Sequence, residues 1–137
     1  MRPTILLSLL LCSALHAQDI SGRWVTVDDN TGKRRSVVEI TVTNGIATGR
    51  IVEIFDKTKL DKTCATCTDD RKGKNVLGME IIRNMEKDGQ EWEGGTIVDP
   101  DNGKVYDCRL WLEDGMLKVR GYVAFFYRTQ MWERETK

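Results

Sequence analysis

Two cysteines stand three residues apart in "KTCATCTDDRKGK", residues 62–74. Cys64 and Cys67 at this C-x-x-C spacing suit three chemistries: a dithiol redox centre, half of a zinc knuckle, or a small disulfide that ties a loop. A thioredoxin-type centre needs the pair at a helix N-terminus beside a βαβ unit, where the helix dipole lowers the thiol pKa. The surrounding polar, lysine-rich run offers neither. A zinc knuckle needs four ligands and would have to recruit a carboxylate such as Asp69 or Asp70. A disulfide asks only for an oxidising compartment.

The start of the chain points to that compartment. "MRPTILLSLLLCSALHAQ" sets Arg2 ahead of an apolar run from Ile5 to Leu11 and the small residues Ser13, Ala14 and Ala17. This is the plan of a secretory signal peptide, and it is too short to span a bilayer. Cleavage is expected after Ala17, with Ala14 as the alternative, so residues 1–17 are read as signal and 18–137 as one exported domain, periplasmic or extracellular. Cleavage removes His16, the one histidine, and leaves 120 residues with 20 basic and 21 acidic side chains. That balance argues against nucleic acid and against electrostatic membrane binding, and no later segment reads as membrane-spanning. With no imidazole left, a Ser-His or Cys-His nucleophile pair and a histidine general base are excluded. The expectation is a protein that is not an enzyme, with no cofactor and no metal; the residues assign no oligomeric state.

Cys64, Cys67 and Cys108 remain after cleavage. The chain-entropy model gives about 2 kcal/mol for the four-residue ring and about 4 kcal/mol for a ring closed by Cys108. Cys108 shares a face with Tyr106, Leu110 and Leu112 and so points to the core, where a thiol needs no partner. The local Cys64–Cys67 pair is the disulfide expected, with pairing to Cys108 left open. "DDNTGK" and "DPDNGK" hold carboxylates but lack calcium-loop spacing, and turn chemistry accounts for them.

Those residues must be positioned by strands. Eight segments alternate apolar and polar residues: 23–27, 36–43, 46–55, 76–85, 91–98, 104–113, 116–124 and 129–134. "NG", "EKDGQ" and "EDG" separate three of the pairs tightly, and no stretch has a helical period. The fold class is all-β. Sequential hairpins without a long return favour an eight-stranded antiparallel up-and-down barrel over a sandwich, and glycines within strands suit the kinks of closure. In such a meander, connections 1–2, 3–4, 5–6 and 7–8 gather at one end. That end holds the long cysteine loop and the aromatic run Phe125, Phe126 and Tyr127. Three consecutive aromatics cannot all face one side of a strand, so they are placed at the rim of a mouth, as ligand-binding residues.

The motifs carry two resemblances. "GRW", with Gly22 and Trp24, resembles the G-x-W signature of lipocalin-like (calycin) barrels, which implies that Trp24 closes the barrel bottom beneath an arginine from the last strand, here Arg134 in "QMWER". "GRW", "TGRIVEI", "CATC", "VLGMEII", "WEGGTIVDPDNGKVYDC", "LKVRGY" and "RTQMWER", in this order, resemble the secreted bacterial family catalogued as domain of unknown function 2147. "AFFYRTQ" departs from it where a glycine is expected before "RTQ". The resemblance implies secretion and a lipocalin-like barrel, and no reaction. The function expected is binding of a small apolar or amphipathic ligand at the loop-rich end. The alternative is a cell-envelope protein–protein interaction module whose barrel is filled with side chains.

Overall fold

Period-two alternation becomes eight strands in the structure, a computed structural model that describes residues 19–136. The expected signal at residues 1–17 lies outside the described residues. The strands are β1 (Gly22–Val27), β2 (Arg34–Thr43), β3 (Ile46–Ile54), β4 (Glu80–Asp88), β5 (Glu91–Val98), β6 (Val105–Glu113), β7 (Met116–Val123) and β8 (Phe126–Arg134). They pair antiparallel in chain order, and β8 returns to β1 through Trp24↔Arg134 and Val25↔Glu133 to close the barrel.

Turn chemistry fixes the narrow end. Asn44 and Gly45 both have positive φ, as do Asp114 and Gly115, the geometry that two-residue hairpins demand. They set Thr43 opposite Ile46 and Glu113 opposite Met116. Closure also needs a close approach of β4 and β5. A Cβ at Gly95 would lie 2.0 Å from the Arg83 carbonyl oxygen, so no other residue fits there.

Two strand starts differ most from the sequence reading, and β4 also ends later than expected, at Asp88 rather than at residue 85. The strand expected from Val76 begins at Glu80. Val76 and Met79 are buried, but between them Gly78 takes φ 89° and donates to the Ile51 carbonyl at 2.8 Å. The apolar residues there pack from a loop. The last strand, expected from Thr129, begins at Phe126, because Ala124 adopts φ 52° and makes the β7–β8 connection a two-residue turn.

The barrel is packed solid in its lower half. Trp24, Val38, Ile40, Met85, Leu110 and Leu117 are fully buried there, and the Trp24 indole N–H donates to the Ile20 carbonyl at 2.8 Å. The Arg134 guanidinium lies 4.2 Å above the Trp24 ring and donates to the Asp19 and Ser21 carbonyls. This closes the bottom and fastens the entering chain across it.

Candidate functional site

The upper half is open. A cavity of about 440 Å³ runs down from the end where connections 1–2, 3–4 and 5–6 meet, within the roughly 300–1,000 Å³ typical of small-molecule sites. Alternation along β8 builds its wall in steps. Trp132 forms part of the floor, Gln130 stands above it, and Arg128 reaches the rim. These are successive same-face positions of one strand. β1 repeats the gradient from buried Trp24 through Thr26 to Asp28 at the mouth.

The floor and lower wall are apolar, with Ile51, Ile97, Val119 and Trp132. Gly121 leaves room there: a Cβ would come within 3.3 Å of Tyr106. The middle is polar but satisfied. Thr26 and Ser36 hydroxyls bond at 2.7 Å, and the Trp132 indole donates to Gln130 Oε1 at 2.9 Å.

Charge is confined to the rim, where each carboxylate has a partner. Arg128 grips Asp29 with two donors at 2.5 and 2.6 Å. Arg35 lies between Asp28, at 3.4 Å, and Asp101, at 3.3 Å, and Lys62 also bonds Asp101. The carboxyls are held below their ordinary pKa: Asp28 by the backbone N–H groups of Thr31 and Asn30, Asp29 by Arg128, and Asp101 by Lys62. They stay ionised at neutral pH, which suits them to hold cations and unsuits them as general acids.

The cysteine loop forms one side of the mouth. Cys64 and Cys67 are joined, with Cα atoms 5.4 Å apart, and Cys108 is a free, buried thiol pushed up to about 12 by burial. Lys74 accepts from Cys64 N–H at 2.9 Å and Cys64 accepts from Gly73 N–H at 2.7 Å, so the disulfide is backed by a backbone clasp. The loop then lies directly on the β5–β6 turn, where a Cβ at Gly103 would sit 2.1 Å from the Thr66 carbonyl oxygen. No group of three or more metal-binding side chains occurs among the described residues.

Phe125, Phe126 and Tyr127 stand at the open end, on the β7–β8 hairpin. They form the tip and outer flank of the β7–β8 hairpin, 99%, 79% and 62% exposed, and are not among the described residues that line the cavity. Tyr127 faces outward, with the Arg120 guanidinium 4.3 Å from its ring and 4.9 Å from that of Trp111. The tight turn at Ala124 projects the pair of phenylalanines past the barrel end. The sequence reading left Arg128 in a loop and placed Gln130 in the last strand without assigning its face. Counting back by two from buried Trp132 finds both.

Residues 22–134 match the family described as "Uncharacterized protein conserved in bacteria (DUF2147)", and the chain belongs to that family. No curated protein matches it in sequence. Among solved structures the chain is similar to protein HP1028 from the human pathogen Helicobacter pylori, reported to belong to the lipocalin family, with TM-score 0.75 and 18% identity over 88% of this chain and 85% of that one. At that identity the likeness establishes the fold, a lipocalin-like up-and-down barrel.

Proposed function

We propose that this lipocalin-like barrel is an exported, non-catalytic binding protein that takes one small amphipathic molecule through its loop-rich end. The cavity carries the reading: an apolar floor of Ile51, Ile97, Val119 and Trp132 beneath a rim holding Arg35, Lys59, Lys62 and Arg128. An apolar body fits the floor, and a polar head fits the rim, whose cations and carboxylates are already paired with one another. Burial of roughly 150 Å² of ligand surface at about 25 cal/mol per Å² contributes close to 4 kcal/mol before ordering costs. The rim carboxylates are already committed to cations, which supports binding over acid–base chemistry. Export rests on the residue 1–17 pattern, and finding those residues intact on protein recovered from the envelope would defeat it.

The packed lower half favours the second reading, an interaction module, only if the upper half is filled as well. Titration with a fluorescent fatty-acid probe separates the two. Saturable one-to-one uptake that is lost in Ile97→Trp, which fills the cavity, supports the carrier. A folded wild type that takes up neither this probe nor a neutral apolar one supports the module.

A further inference from the structure

The two ends of the barrel differ in charge as well as in shape. Segments 28–35, 56–74, 99–104 and 124–128 at the open end hold eleven basic and eight acidic residues. Segments 19–23, 86–93, 113–116 and 133–136 at the closed end hold three basic and nine acidic residues. Lys33, Lys57 and Lys104 at the open end are exposed and make no salt bridge among the described residues.

The same end gathers the exposed apolar groups. Eight of the ten large apolar side chains left exposed among the described residues lie there, including Val123, Phe125 and Phe126 on one hairpin. Phe125 is 99% exposed at the hairpin tip, where it contributes nothing to packing. An apolar tip at the same end as lysines outside any salt bridge combines the two attractions that hold proteins at anionic bilayers, insertion at the headgroup level and Coulomb attraction to lipid phosphates.

We propose that the open end docks on an anionic lipid surface, with Phe125 and Phe126 inserted among the headgroups and Lys33, Lys57 and Lys104 set against phosphates. The acidic closed end is repelled by the same surface, so the molecule is oriented with its mouth toward the lipid. Docking of this kind needs nothing in the cavity. Its failure leaves the carrier reading standing, and failure of the carrier reading leaves this one standing.

The test uses an environment-sensitive fluorophore at Phe125→Cys and, separately, at Asn44→Cys in the exposed turn of the opposite end. Among the described residues Cys108 is a buried thiol and Cys64 and Cys67 are joined, so in protein beginning at Gln18, which lacks Cys12, labelling is confined to the new site. With phosphatidylethanolamine–phosphatidylglycerol vesicles the label at 125 should shift to the blue and the label at 44 should not. Phosphatidylcholine vesicles should bind much more weakly, and added salt should weaken the anionic complex. Phe125→Ser with Phe126→Ser should reduce vesicle affinity tenfold or more while leaving the thermal transition in place. No shift at 125, equal shifts at both positions, or a shift at 125 only with lipid-free envelope protein would overturn the proposal, the last in favour of a protein partner.

Discussion

Arg134 lies over Trp24, its guanidinium carbon 4.2 Å from the ring centroid, while its donors hold the Asp19 and Ser21 carbonyls. The two residues are also neighbours across the β1–β8 seam, so one contact closes the sheet, caps its core and fixes the entering chain. Trp24→Ala should cost about 3–5 kcal/mol through transfer and cavity terms, and Arg134→Ala about 1–2 kcal/mol. A double-mutant cycle by urea denaturation should give a coupling of about 0.5–2 kcal/mol. Strict additivity would mean that the stacked arginine contributes no closure.

The cysteine loop should behave as a structural clasp. Cys64→Ser with Cys67→Ser should lower stability by about 2 kcal/mol, the entropy of a four-residue ring, and should not recruit Cys108, which is buried on β6. Non-reducing peptide mapping checks the pairing. Recovery of a Cys67–Cys108 peptide would overturn it.

Ala124 occupies a conformation that suits glycine. Its φ of 52° costs an L-residue about 1–2 kcal/mol, partly offset by the greater chain entropy of glycine. Ala124→Gly should therefore raise the unfolding midpoint by an amount equivalent to roughly 0.5–1 kcal/mol. A lower midpoint would show that the turn is not strained at this residue. Ala124 opens "AFFYRTQ", the segment in which the sequence departs from the family pattern, so a departure was visible in the residues while the turn conformation needed the backbone.

What else was legible follows from the same contrast. The alternation of β2, β3, β5, β6 and β7, together with "NG" and "EDG", gave the meander and both of its ends, because period-two burial and two-residue turns are local properties. Gly22, Trp24 and Arg134 were legible through the G-x-W resemblance. The cavity was not. Its wall depends on parity along β8, and extending that parity to Arg128 needs the strand to begin at Phe126, after the turn at Ala124. The three adjacent aromatics are conspicuous in the sequence, whereas Arg128, Gln130 and Trp132, which line the cavity, are not. The start of β4 was hidden for a similar reason: Val76 and Met79 are buried like strand residues but are held by loop hydrogen bonds.

Acid should loosen the long loop first. Asp69 is drawn down to about 2, chiefly by the side-chain bond from Arg71 and then by the Arg71 backbone N–H. Its folded pKa lies below the unfolded value, so its contribution is complete above about pH 5 and is lost as pH falls through 4 toward 2. Arg71 is buried and also donates to the Glu80 carbonyl at 3.0 Å, which ties the loop to β4. Asp69→Asn should flatten the fall of the urea midpoint between about pH 5 and 2, and Arg71→Ala should cost about 3 kcal/mol by leaving loop acceptors unpaired. An unchanged acid profile in Asp69→Asn would exclude the pair as the acid-labile element.

Native mass spectrometry of the protein purified from its own host, beside Ile97→Trp purified in the same way, tests the carrier reading most directly. The expected result is one non-protein molecule with an apolar body per wild-type chain, released on denaturation, and a bare chain for the filled barrel. A bare wild-type chain, or a molecule retained equally by Ile97→Trp, would contradict it.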